Sequence, residues 1–90
     1  MIATEDTDIL TSPALPGRDY QVSGLGTWDG ATVTLQAFVD GEWRDIPDGA
    51  WTADFEIVRT NNAAAEIRLV PSETGSGTSL SLTISEVPLA

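Results

Sequence analysis

From Arg18 onward apolar and polar residues alternate with a period of two, which predicts β-strands. In the segment 31–39, Ala31, Val33, Leu35, Ala37 and Val39 share one face, and Thr32, Thr34 and Gln36 share the other. That is the signature of a half-buried strand. The segment 79–85 repeats it, with Leu80, Leu82 and Ile84 between Ser79, Ser81, Thr83 and Ser85. Tyr20 and Val22 open an earlier strand, in which Gly24 and Gly26 predict a bend or bulge. Residues 51–59 read as one strand with Trp51, Ala53, Phe55 and Ile57 on one side. Residues 63–70 alternate through Ala63, Ala65, Ile67 and Leu69, and Pro71 is expected to end them. A short helix after Asn62 is the alternative there, because Ala, Glu, Arg and Leu are good helix formers.

Turn signals punctuate these runs at Asp29-Gly30, Asp40-Gly41, Pro47-Asp48-Gly49 and Thr60-Asn61-Asn62. At Asp40-Gly41 a two-residue turn pairs Phe38 with Trp43, whereas a three-residue turn with a bulge pairs Ala37 with Trp43. The pattern does not choose between them. Residues 71–77 have the composition of a mobile loop. Residues 1–17 keep no period: Ile2, Ile9, Leu10 and Leu15 are scattered, and Pro13 and Pro16 favour extended chain. The expectation is an all-β fold, a small antiparallel β-sandwich or barrel of about six to eight strands with an extended N-terminal arm. Residues 1–17 form the arm, and residues 18–90 form a single β-sandwich domain.

Length and charge narrow what such a domain does. Ninety residues allow one domain. The inward set is small, so net stability is modest, and scaffolds of this kind often gain stability by oligomerising or docking. Fourteen acidic residues oppose four arginines, for a formal net charge of -10. Such a surface repels the phosphates of nucleic acid and keeps a protein soluble. Because Arg18, Arg44, Arg59 and Arg68 are the only basic side chains, forked Arg contacts stand out as candidate pairing sites. No apolar run approaches the ~20 residues of a membrane span. The start of the chain, with Glu5, Asp6 and Asp8, lacks the basic and apolar regions of a signal peptide, so synthesis in a cytoplasm without export is expected.

The search for chemistry returns ordinary strand and turn residues. Histidine, cysteine and lysine are absent, which removes the usual bases, thiols and zinc ligands. Asp54 and Glu56 sit about 7 Å apart along one strand face, as any solvated strand places its charges. Asp40, Glu42, Asp45 and Asp48 offer oxygen ligands without a calcium-loop spacing. Gly24-Leu25-Gly26 and Gly75-Ser76-Gly77 lack the helix and lysine of a phosphate cradle. No catalytic, cofactor-binding or metal-binding residues are therefore expected. Three tryptophans, Trp28, Trp43 and Trp51, lie beside turns. They suit the capping of a sandwich end, a protein interface or a sugar platform.

The pieces Gly26 to Gln36, Asp40 to Trp43 and Gly75 to Ser81 resemble small β-sandwich virion proteins of tailed bacteriophages. In those proteins a Gly–aromatic–Gly turn opens a Thr-rich alternating strand, a Gly-Trp-type hairpin follows, and a late G-x-G-T-S-L strand closes the domain. The likeness spans about residues 20–87 and rests on turn and strand signatures. It implies a structural role, as a capsid decoration (cement) protein or a head-fibre or tail-fibre module, often trimeric. The expected partner is then the major capsid protein, on the outer surface of the virion's capsid. An arm rich in Thr and Pro orders on a neighbour as it binds. The side chains expected to make contact are Ile2, Ile9, Leu10 and Leu15 of the arm, with Trp28, Trp43, Trp51 and Arg44. Two further readings stand beside this one. A glycan-binding module at a fibre tip predicts Trp28, Trp43 or Trp51 exposed together, and an acidic mimic or inhibitor occupies a basic site on a host factor.

Overall fold

A computed structural model describes residues 1–88. Eight strands follow in order: β1 (Ile2–Ala3), β2 (Leu10–Pro13), β3 (Asp19–Thr27), β4 (Thr32–Val39), β5 (Glu42–Trp51), β6 (Phe55–Thr60), β7 (Glu66–Ser72) and β8 (Ser79–Glu86). They build two four-stranded sheets, β1-β8-β3-β6 and β2-β7-β4-β5, antiparallel throughout. The expected all-β sandwich is the fold.

The alternation of β4 and β8 does what it predicts. Val22, Val33, Leu35, Leu69, Leu80 and Leu82 are fully or almost fully buried between the sheets. Ala37, Val39, Ile57 and Ile84 pack against them while half-buried. Ala65 is exposed, and its neighbour Ala64 takes the buried place.

Four expectations change. The first concerns residues 1–17, which are not an arm set apart from the domain. Ile2 and Ala3 pair with Ser81 and Leu80 of β8, and Leu10–Pro13 pair with Leu69–Glu66 of β7. The segment supplies an edge strand to each sheet. Its apolar residues show no period because each strand is too short to display one, and because a turn separates them. That turn is held by Asp8, whose Oδ2 accepts from the amides of Thr4 and Glu5 at 2.9 and 3.0 Å. Asp6 Oδ1 likewise accepts from Thr74 N at 3.0 Å and Thr74 Oγ1 at 2.8 Å. These hydrogen bonds to the ionised form hold both carboxyls below the usual value of 3.8.

Second, Pro47-Asp48-Gly49 does not separate two strands. Thr34 pairs with Ala50 and Gln36 with Asp45, so residues 46–49 bulge out opposite Leu35 inside β5. The reversal comes later, at Thr52–Asp54, and Trp51 and Phe55 belong to different strands. Third, the strand expected over residues 63–70 forms, without the alternative helix, but it runs from Glu66 to Ser72, so Pro71 lies within it instead of ending it. Pro71 sits beyond the end of β2, where β7 is an edge, the place a strand tolerates proline. Fourth, the Gly-rich segment before β8 is tied down. Gly77 N donates to Asp29 Oδ2 at 2.8 Å, and Thr78 Oγ1 donates to Trp28 O at 2.9 Å.

The open register is settled too. Phe38 pairs with Trp43 across a two-residue turn. Asp40 and Gly41 hold φ of 54° and 78°, the paired positive values of the primed hairpin turn that suits twisted strands.

Candidate functional site

The hairpin register decides which side chains meet on the solvent face of the β2-β7-β4-β5 sheet. With Phe38 opposite Trp43 and Gln36 opposite Asp45, all four point away from the core. Gln36 is also paired with Arg68 of β7. Strands β7, β4 and β5 thereby bring five side chains into one patch. The Arg68 guanidinium lies 4.0 Å from the centre of the Trp43 ring, within cation–π range. Phe38 meets the same tryptophan with ring centres 5.2 Å apart and planes tilted by 56°. Arg68 Nε donates to Gln36 Oε1 at 2.8 Å, and Gln36 Nε2 donates to Asp45 Oδ1 at 2.7 Å. The relay locks the amide and the guanidinium in place. Among the described residues no carboxylate lies within ion-pair distance of Arg68; the ion pairs are Arg18–Glu86 and Arg44–Glu42.

An aromatic pair and an arginine on a sheet's outer face add little to the core. They form a rigid, partly desolvated platform of the residue types that dominate binding hot spots. The arrangement presents shape and hydrogen-bonding groups. No group of three or more His, Cys, Asp or Glu among the described residues is placed to hold a metal ion.

The other two tryptophans lie elsewhere. Trp51 stacks on Phe55 at 4.0 Å with planes 9° apart, and Trp28 meets Phe55 at 6.1 Å. Both pack against the core and close one end of the sandwich. Trp28 Nε1 donates to Asp54 Oδ1 at 2.8 Å, and Gly26 N donates to the same oxygen at 3.1 Å. The Trp28 bond first, then that of Gly26, pulls the Asp54 carboxyl below its usual 3.8. A carboxyl whose folded value is depressed adds stability above its unfolded value and loses it as pH falls toward the folded one. An acid titration followed by tryptophan fluorescence is therefore expected to show a Trp28 step below pH 3.8. Asp54→Asn should abolish that step; persistence of the step in the variant would assign it to another group.

The remaining candidates do not converge. Ile2 is exposed on the outer face of the opposite sheet, beside Ser81. Ile9 and Leu15 are exposed in the connections flanking β2, and Leu10 packs half-buried against the core. Arg44 faces Ala37 rather than Trp43's side of the sheet, and it is solvent-exposed, 3.3 Å from Glu42. The arginine that joins Trp43 is Arg68. The alternation of residues 66–70 placed Arg68 opposite Ile67 and Leu69, and that was the available signal. Phe38, Gln36 and Asp45 needed the register.

A second feature lies between the sheets. An apolar cleft of about 350 Å³ opens beside the β5 bulge, lined by Leu35, Ala37, Val39 and Ile46 with Arg59 at its rim. Arg59 Nη1 and Nη2 donate to the carbonyls of Pro47 and Asp48, each at 3.1 Å, and so strap the bulge to β6.

No family model matches the chain, and neither a curated protein nor a solved structure matches it.

Proposed function

We propose that this chain is a structural protein of a tailed-bacteriophage virion, a capsid decoration protein that binds the assembled head across subunit seams. It acts through contact, as an acidic homo-oligomer, with a trimer favoured, on the outer surface of the shell. The observation that carries the reading is the Trp43–Arg68–Phe38 platform on the outer face of the β2-β7-β4-β5 sheet. Its aromatic rings bury large area at little entropic cost, and Arg68 keeps donors free for a partner's acceptors. The resemblance of the turn and strand motifs to small virion proteins supports the same reading. So does the charge of -10, which suits the side of a shell that faces away from packaged DNA. Repetition over many equivalent sites makes weak single contacts sufficient. The test is purified protein mixed with particles assembled without it. Saturation at hundreds of copies per particle is expected, and a few copies or none would reject a shell role.

One observation favours a second reading, a glycan-binding module. Gln36, Asp45 and Arg68 surround a partly exposed Trp43 with hydrogen-bonding groups, as a sugar site needs. The form of that reading in which the three tryptophans are exposed together does not survive their separation. Saturable quenching of Trp43 fluorescence by an oligosaccharide would favour it over the capsid.

A further inference from the structure

The cleft beside the β5 bulge has the size and lining of a ligand site, and it is independent of the Trp43 platform. Ligand sites of small molecules occupy about 300–1,000 Å³ and are mostly apolar with a few placed polar groups. This one, at about 350 Å³, is walled by the inward side chains of β3 and β4, by Ile46 from the bulge and by Ala64 from the β6–β7 connection. Ala37, Val39 and Ile46 are only half-buried, so apolar surface that belongs to the core is left facing the cleft.

Its polar rim is mostly spent. Asn61 donates to Leu15 O and Ala64 O and accepts from Ala64 N, all within 3.0 Å. Thr60 Oγ1 is bonded to Asp19. Arg59 is different. Two of its five N–H groups are used on carbonyls, and no carboxylate among the described residues pairs with it. A guanidinium without a counter-ion among the described residues lines an apolar cleft.

We propose that the cleft binds an amphiphile with an unbranched apolar tail and a carboxylate head, the tail against Leu35, Ala37, Val39 and Ile46 and the head at Arg59. Charge complementarity at the rim selects the anionic head. The two bonds that tie Arg59 to the bulge favour a tail over a strand of a partner chain. A strand entering between β5 and β6 must break both bonds that Arg59 makes to the bulge, whereas a flexible chain passes beside them.

The experiment is a calorimetric titration of the full chain with hexanoate, octanoate and decanoate below their micelle-forming concentrations, with amide chemical shifts recorded in parallel. Affinity is expected to rise about fourfold per added methylene, so roughly fifteenfold at each step of the series. Shifts should concentrate at Ala37, Val39 and Ala64 and leave Trp43 unmoved. Decanoate should bind at least about tenfold tighter than 1-decanol, as a charge-assisted contact requires. Arg59→Gln should abolish that preference, so that decanoate and 1-decanol bind with equal affinity. Ala37→Phe, which fills the cleft, should remove binding of both. If Ala37→Phe loses its near-ultraviolet circular dichroism, the shift map and Arg59→Gln decide instead. Absence of saturable binding, equal affinity for acid and alcohol, or shifts clustered away from the cleft would overturn the proposal.

Discussion

Removing residues 1–13 is expected to unfold this protein. The deletion takes away β1 and β2, the edge strands that close one side of each sheet. Ala3 is completely buried and Leu10 packs on the core. Behind them stand Leu69, Leu80 and Leu82, now almost free of solvent contact, which face water once their neighbours leave. The backbone pairing of Met1 with Leu82, which runs in both directions at 3.1 and 2.8 Å, goes as well. At 1.5–3 kcal/mol for each large apolar side chain, the burial lost at these three leucines amounts to as much as about 4.5–9 kcal/mol. A domain of this size has a net stability of only about 5–14 kcal/mol, so the loss is comparable to the whole. The truncated chain is expected to lack near-ultraviolet circular dichroism from its tryptophans and to show no cooperative melting transition. A transition within a few degrees of the full chain's would mean that the segment is dispensable.

The second large effect is expected from one methyl group. Gly26 lies inside β3 with φ of 139°, a conformation closed to other residues, opposite Leu80 of β8. A Cβ there collides with the Ser79 carbonyl oxygen. That oxygen is backbone, fixed by the β3–β8 ladder, so relief requires the two central strands of the sheet to separate locally. Gly26→Ala combines this collision with the dihedral strain, at a cost of about 3 kcal/mol. For a domain of this size each kcal/mol lowers the melting temperature by about 4–8 °C, so a drop of roughly 12–24 °C is expected. Gly41→Asn is the control. Its φ of 78° is also positive, but nothing lies within 4 Å of an added Cβ, and asparagine tolerates that conformation. It should move the transition by only a few degrees. Similar losses at both positions would refute the collision.

Strands long enough to show several alternations were legible in the sequence. β4 and β8 each carry at least three inward apolar residues between polar ones, and both are placed where that pattern puts them. β1 and β2 were not legible, because two and four residues cannot establish a period. Pro47-Asp48-Gly49 misled because turn chemistry also builds bulges: Asp48 adopts φ of 58° within a continuous strand. The platform was half legible. Trp43 stood out as an aromatic beside a turn, but its partners depend on the register of one hairpin and on β7 lying beside β4. Arg44 was among the side chains expected to make contact, and alternation carries Arg44 to the other face. Strand order is a tertiary choice that no local pattern encodes, and it is what brings Arg68 to Trp43.

The claim that this molecule works by adhering through that platform meets its most direct test in the occupancy of phage particles by the Trp43→Ala variant. The ring is only partly buried and touches no core residue of the sandwich, so the variant should keep its cooperative transition within a few degrees. It should nevertheless decorate particles at least about tenfold less than the parent chain, the loss of a single hot-spot side chain. A folded Trp43→Ala protein that fills particles as fully as the parent would contradict the claim.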